Sequence, residues 1–381
     1  MKLVYLIPDL ASAGGTIRVL HNKVCWFVRQ GGYEITIITT DQKGTPVYFD
    51  FPDEVRIIDL GINYSSVYNA PPLSRVRSMF RKRREHYNRL SELLMRIGPD
   101  LTITIYPSDA MIVRRINDGS KKIIEFHGNR YFRLNQGYTG FHRAVAIFKS
   151  FRDYKFVKRF DRLVVLTNEG ADQWRSIKRV SVIPNAVSSF PNVTLGHNSK
   201  RVIAVGRLVY EKGFDRLIRA WGLLPRDILS EWKLDIYGDG PLLNELTELM
   251  THLDITSSVN IHNPTKEIFK EYAGSSFLVM SSYTEGFPMV LIEAMSCACP
   301  VVSFDCACGP KDIITDGING FLVENGNISS LSRKMEELIR NEKLRFTFSE
   351  NAKQIKDKYS EEKVMGMWVE LFKEMTSDIR N

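Results

Sequence analysis

The sequence predicts an α/β protein built from two doubly wound, parallel-sheet domains. Three observations carry this. Short runs rich in β-branched residues recur along the chain, amphipathic stretches of helical length separate them, and the series stops once near the middle and starts again. Near-continuous apolar strands that alternate with helices belong to parallel sheets covered on both faces. The 381 residues leave room for two full cores, and 44% hydrophobic with 25% charged residues is an ordinary globular composition.

KLVYLI opens the first series, and YEITIITT, VRIIDL, LTITIY, KKIIEF and RLVVLT continue it. The series ends at VIPNAV (182–187), and the polar stretch 188–200, with its Pro, Gly and Asn, reads as a linker. RVIAVG begins the second series, followed by WKLDIYG, SVNIH, SFLVM and PVVSF. The expected division is a first domain over 1–184, a second over 185–360, and a terminal helix over 361–381 that packs back on the first domain. Two such domains are expected to face each other across a cleft at the C-terminal ends of their sheets, where open α/β sheets bind ligands.

No apolar run reaches the 18 residues of a spanning helix. The opening MKLVYLI resembles a leader only briefly, because Pro8 and Asp9 break it too early for a signal-peptide core. The expectation is a cytoplasmic protein, and its odd number of cysteines, five, fits reduced thiols. Four of them form two C-A-C pairs, Cys297/Cys299 and Cys306/Cys308. C-x-C lacks the C-x2-C spacing of common zinc sites, the segment is apolar, and small buried thiols explain it without a metal.

Four loops follow strands at the end where a ligand is expected. In PDLASAGGTIRVL, Gly14 and Gly15 precede a helix; glycines let backbone N–H groups approach an anion at a helix start, although a plain strand-to-helix turn needs no more. In VGRLVYEKGFDRLIRA, Arg207 and Lys212 stand five apart on a loop leading to a helix, able to grip a diphosphate or to be solvated surface cations. In IYGDGP, Gly238 and Asp239 suit close approach to a flat base or a ribose, and equally a turn before Pro241. In SSYTEGFPMVLIEAM, Pro288 is the expected first helical residue. Glu285 then lies in the loop, with the N–H groups of 286–289 open to a ligand, and Glu293 lies in the second turn. A glutamate in so apolar a helix needs hydroxyl partners, such as those of a ribose, while Glu285 suits a sugar.

GRLVYEKGFDRLI, YGDGP and the E-x7-E segment EGFPMVLIE resemble the donor-site signature of family 4 retaining nucleotide-sugar glycosyltransferases, which have the GT-B fold. VIPNAV and DGINGFLV fit as well. The resemblance covers nearly all of the second domain; in the first it rests on Gly14-Gly15, on His127-Gly128 and on general order. It implies that Arg207 and Lys212 hold the donor's diphosphate and stabilise the leaving group. Glu293 would bind the ribose, Glu285 would sit against the transferred sugar with the backbone of Gly286, Phe287, Pro288 and Met289, Gly15 would approach the phosphate, and His127 would lie near the sugar's C6 side; a structural histidine at a strand end is the plainer account of His127. The resemblance further implies a UDP-sugar donor and no metal, in keeping with the lack of a D-x-D motif in a suitable loop. No second carboxylate is evident for a double displacement, so the leaving phosphate oxygen is expected to take the acceptor's proton.

Residues 1–183 hold 30 Lys and Arg against 17 Asp and Glu, a net +13, whereas residues 184–381 carry −5. RVRSMFRKRREHYNRL (75–90) and HRAVAIFKSFRDYKFVKRFDR (142–162) interleave cations with aromatics, Phe148 and Phe151 within the second and Phe141 directly before it. Each fits a helix with a solvated face; together they point to an anionic membrane surface on the inner face of the plasma membrane. The expected acceptor is a saccharide, such as a polyprenyl-diphosphate-linked glycan. No nucleic-acid module is present, which argues against a nucleic-acid partner, and the missing G-x-G-x-x-G argues against an NAD enzyme. An epimerase or phosphorylase on the same fold is the remaining alternative.

Overall fold

The structure is a computed structural model describing residues 1–12, 14–68, 72–107, 109–134, 139–187 and 199–377. Of the expected linker, 188–198 lies outside the described residues, as does the side chain of Phe141. The chain forms two compact units: Met1–Leu166 with Ala171–Ile183 and Met365–Asn381, and Thr167–Gly170 with Pro184–Val364.

Unit 1 holds seven strands: β1 (Lys2–Leu6), β2 (Glu34–Thr39), β3 (Arg56–Asp59), β4 (Leu101–Ile105), β5 (Lys121–Phe126), β6 (Arg162–Val165) and β7 (Val180–Val182). They lie in the order β3-β2-β1-β4-β5-β6-β7, each pair parallel. The chain winds outward from β1, then returns to place β4 on its other side, so the winding direction reverses between β1 and β4. Val4, Leu6, Ile38, Ile124, Leu94 and Trp174 belong to its buried core. The helix Glu361–Ser377 contributes its later turns to this unit, where Phe372 stacks on Phe27 at 5.4 Å.

Unit 2 repeats the plan with β8 (Arg201–Val205), β9 (Lys233–Tyr237), β10 (Val259–His262), β11 (Phe277–Met280), β12 (Val301–Asp305) and β13 (Gly320–Glu324). Their order is β10-β9-β8-β11-β12-β13, again all parallel. The reversal falls between β8 and β11. FLVM is apolar at every position, and VVSF is buried throughout with Ser303 its one polar residue, because helices cover both faces. The sequence reading leaves out β13. It is a short edge strand opened by Gly320, where a Cβ would stand 2.5 Å from the Val301 carbonyl oxygen, so packing rather than strand preference puts glycine there. Trp221, Phe277, Phe304, Leu338 and Phe348 lie in the core of this unit.

Candidate active site

Ligands of doubly wound sheets bind outside the strand C-termini where the winding reverses. In unit 2 the chain leaving β8 and the chain leaving β11 meet at that point. The first runs Gly206, Arg207, Leu208 and on to a short 3-10 turn, Tyr210–Lys212. Gly213 then caps the helix Phe214–Gly222 in the left-handed conformation, φ 61°. A Cβ on Gly213 would stand 2.3 Å from the Ser281 carbonyl oxygen, so glycine is required both by conformation and by the approach of the β11 loop. The Tyr283 N–H donates to the Glu211 carbonyl at 2.9 Å, and the Ser281 hydroxyl to the Lys212 carbonyl at 3.3 Å.

This interlock brings Lys212 and Glu285 together. Lys212 Nζ lies 2.7 Å from Glu285 Oε1, and the Ser282 hydroxyl donates to the same oxygen at 2.6 Å. The Glu285 N–H donates to the Ala307 carbonyl, which ties the loop to the one after β12. There Gly309, φ 125°, lets Pro288 pack within 2.3 Å of where a Cβ would be. Arg207 is exposed, and its guanidinium has no ion pair or hydrogen bond among the described residues. Among the described residues, the switch point thus carries one unpaired cation and one cation held by a carboxylate.

The helix Met289–Ser296 starts one residue later than expected, and Pro288 is its cap rather than its first residue. Its φ of −77° is ordinary for proline, but its ψ of 85° is not helical. The Met289 N–H is turned back onto the Phe287 carbonyl at 2.9 Å, so it is not open to a ligand as the sequence implied. The N–H groups of Gly286 and Phe287 have no acceptor among the described residues. Phe287 is buried edge-on against Tyr359. Glu293 is 7% exposed, and the buried Tyr272 hydroxyl donates to its Oε2 at 3.2 Å. Burial, and then the Glu293 charge, hold the Tyr272 phenol well above its ordinary range.

Gly238 and Gly240 are required by contact with the β8 loop. A Cβ on Gly238 would lie 1.9 Å from the Gly206 carbonyl oxygen, and one on Gly240 2.5 Å from that of Leu208. The Leu208 N–H donates to the Asp239 carbonyl at 2.6 Å, leaving the Asp239 side chain exposed. Beside them, Tyr210 stacks on Tyr283 at 4.4 Å, and the Arg216 guanidinium lies 3.5 Å from the Tyr283 ring centre. The Tyr283 hydroxyl donates to Asp215 at 3.2 Å. Cys297, Cys299, Cys306 and Cys308 are buried, and burial raises the thiols of the first three. They pack as small apolar side chains.

In unit 1, Gly14 caps and Gly15 begins the helix Gly15–Gln30 after β1. Gly14 has φ −59°, and a Cβ on Gly15 would meet nothing within 4 Å among the described residues, so these do not themselves demand glycine at Gly15. The open space above it is available to a ligand. His127 follows β5, and its Nε2 lies 2.9 Å from Glu125 Oε2. The other carboxylate oxygen takes the ammonium of Lys23 at 2.7 Å.

A family model described as glycosyltransferase family 4 matches residues 13–189, and one described as glycosyl transferases group 1 matches 188–355. Together the two matches span residues 13–355, and the chain is a glycosyltransferase. Among its relatives is an uncharacterized glycosyltransferase of Haemophilus influenzae, 29% identical over 376 residues, 96% of this chain and 98% of that protein. Another is the N-acetylgalactosamine-N,N'-diacetylbacillosaminyl-diphospho-undecaprenol 4-alpha-N-acetylgalactosaminyltransferase of Campylobacter jejuni, 34% identical over 154 residues, 40% of this chain and 41% of that one. A crystal structure of a variant of S. aureus TarM, in complex with fondaparinux, alpha-GlcNAc-glycerol and UDP, superposes with a TM-score of 0.77 at 18% identity, covering 97% of this chain and 99% of that chain. That likeness establishes the GT-B fold.

The transferase keeps Arg207, Lys212, Gly238, Asp239, Glu285 and Gly286 on the loops after β8, β9 and β11, and Glu293 under them. The sequence reading misses Tyr272, the bond from Ser282 to Glu285, and the stacking of Tyr210 and Arg216 on Tyr283. A serine or a tyrosine near a strand end gives no sign of the carboxylate or ring it will meet. Glu125 had a signal, its i, i+2 spacing from His127 at the end of a strand, which puts both on one face.

Proposed function

We propose that this glycosyltransferase moves a hexose or N-acetylhexosamine from a UDP-sugar to a saccharide on a lipid-linked glycan in cell-surface polysaccharide synthesis, with retention and without a metal. The Lys212–Glu285 pair at the β8/β11 reversal supports this reading most directly. An ammonium held by a carboxylate stays in place without a ligand. When a donor diphosphate arrives, Lys212 and the unpaired Arg207 meet it, and they neutralise the charge that grows as the sugar leaves. Those two cations do the work a divalent ion would otherwise do. Glu285, released from Lys212, accepts hydrogen bonds from the sugar hydroxyls, and the N–H groups of Gly286 and Phe287 donate to the same sugar. Glu293, beneath the loop, receives the ribose hydroxyls. The departing phosphate oxygen takes the acceptor's proton on the face the sugar leaves, which gives retention without a second carboxylate.

The acceptor side of the proposal rests on unit 1. Phe80 is 68% exposed on the helix Pro72–Ile97, and Phe148 and Phe151 are 66% and 55% exposed on the helix Gly140–Val157. A groove of about 340 Å³ has Phe80, Tyr87 and Met111 in its lining with Arg83, Arg84 and Arg115 among them. Apolar rings ringed by guanidinium groups suit the headgroup level of an anionic leaflet, the cytoplasmic one in this reading. No helix among the described residues is long and apolar enough to cross a membrane, so attachment here would be peripheral. The Campylobacter relative's name specifies a diphospho-undecaprenol acceptor, which agrees.

The test is to incubate the protein with a panel of nucleotide sugars, with and without EDTA, and to follow nucleoside diphosphate and the anomeric proton by NMR. Slow, EDTA-insensitive UDP release from one donor with an α-configured product, abolished in Lys212→Ala, is the expected result. EDTA-sensitive release, an inverted product, or a converted nucleotide sugar with no transfer would overturn it.

A further inference from the structure

We propose that Glu125 is a positioning residue for His127: it holds the imidazole by Nε2 and so presents Nδ1, as a hydrogen-bond acceptor, to a substrate hydroxyl, while Lys23 neutralises Glu125 for that task. This rests on the reading of His127 as a substrate-contacting residue.

The geometry comes from three elements of unit 1. Glu125 is the fifth residue of β5, 1% exposed, and His127 follows two residues on, so both side chains leave the same face. Lys23, on the helix Gly15–Gln30, is 2% exposed. Each carboxylate oxygen has one strong partner, Lys23 Nζ on Oε1 and His127 Nε2 on Oε2. The Lys23 ammonium also lies 3.7 Å from the Trp368 ring centre, on the returning helix, and 5.9 Å from that of Tyr5 on β1. The groups facing Glu125 are therefore one ammonium, one imidazole and the phenol of Tyr5.

A buried carboxylate costs several kcal/mol unless paired and hydrogen-bonded. Here burial pushes the Glu125 carboxyl up, but Lys23 and His127 together bring it down to about 2. Burial lowers the Lys23 ammonium, and Glu125 partly restores it. The glutamate is thus a stable anion, already half satisfied. Had it faced His127 alone, its whole charge would draw a second proton onto the ring. An imidazolium has two donors and no acceptor. With Lys23 in place, Glu125 needs only the Nε2 proton, and Nδ1 keeps its lone pair. Nδ1 has no partner among the described residues, and the His127 side chain is the one member of the trio that reaches solvent, at 12% exposure. The tautomer is set from the buried side and used on the open side.

The experiment is long-range proton–nitrogen NMR on the full chain labelled with [15N]histidine. The chain has seven histidines, and His127 is assigned by its loss in His127→Asn. At pH 7 the wild-type spectrum is expected to show His127 as the Nε2–H tautomer. Lys23→Met is expected to convert it to the doubly protonated form at the same pH. The double variant Lys23→Met/Glu125→Gln removes the buried charges as a unit while keeping volume; its ring is expected to lose the single-tautomer signature, with kcat down about tenfold and the donor KM within about twofold. An Nδ1–H tautomer in the wild type, a double variant with the wild-type imidazole spectrum, or one with wild-type kcat would overturn the proposal. The tautomer is read without turnover, so the expected spectrum from a protein that releases no UDP would count against the transferase reading and not against this one.

Discussion

Lys212 and Glu285 are partners in the unliganded chain and have different work in the proposed reaction. An ion pair that must open for a ligand predicts an asymmetric pair of mutants. Lys212→Ala removes a charge the leaving group needs and should lower kcat by about 10² to 10³. Glu285→Gln leaves Lys212 free and should tighten UDP itself while still slowing transfer. Calorimetric titration with UDP beside steady-state kinetics separates the two, and weaker UDP binding in Glu285→Gln would contradict the exchange of partners. Both residues were legible in the sequence because each follows a strand beside a glycine. The bond that Ser282 donates to the same Glu285 oxygen was not, because a hydroxyl in a serine pair gives no sign of its acceptor.

At the level of elements, the loops after β8 and β9 are locked by backbone contact. Gly238→Ala places a methyl 1.9 Å from a carbonyl oxygen and should cost about 3 kcal/mol or more, read as a lower urea midpoint. Gly15→Ala meets open space and should leave the midpoint within about 0.5 kcal/mol, while slowing transfer if a phosphate uses that space. The two exposed aromatic helices make a separate prediction. Phe80→Glu with Phe148→Glu should abolish flotation on vesicles containing phosphatidylglycerol at low salt and leave hydrolysis of the donor intact. Wild-type protein that stays at the bottom of the gradient would rule out the membrane surface. The sequence distinguished these helices from ordinary solvated ones only by composition. Which rings point outward was decided by packing: Val157 is buried on the same helix that leaves Phe148 exposed.

For the whole molecule the pH dependence of stability is informative. Burial lifts the Asp109 carboxyl to about 7 and lowers the His86 imidazole to about 4. Their facing atoms lie 3.2 Å apart, and neither Asp109 Oδ2 nor His86 Nε2 finds a hydrogen bond among the described residues. Asp109 holds its proton longer when folded than its unfolded value of 3.8 allows, so its contribution falls as pH rises from about 4 to about 7. His86 gives up its proton more readily when folded, so its contribution falls as pH drops from 6.5 to about 4. The two slopes oppose each other over nearly the same range. Asp109→Asn removes one and should make stability rise from pH 4 to 6.5, more steeply than in the wild type by up to about 1.4 kcal/mol per pH unit. Denaturant midpoints across that range check it, and parallel curves would show the burial of Asp109 to be without consequence. Glu125, at about 2, adds stability that is present above 4.5 and lost below it.

The sequence by itself determined the two parallel sheets, the cations after β8, the glutamates after β11 and the basic balance of the first half, because periodicity, glycine placement and charge are local properties. It could not determine that Lys212 rests on Glu285, that Tyr272 reaches Glu293, that Met289 turns its N–H inward, or that Lys23 and Trp368 stand behind Glu125. Those partners lie 73, 21, 2, 102 and more than 200 residues apart, or depend on one ψ angle. A side chain's charge is written where it stands in the chain, but its partner is chosen by which strands become neighbours, and only the wound sheets decide that.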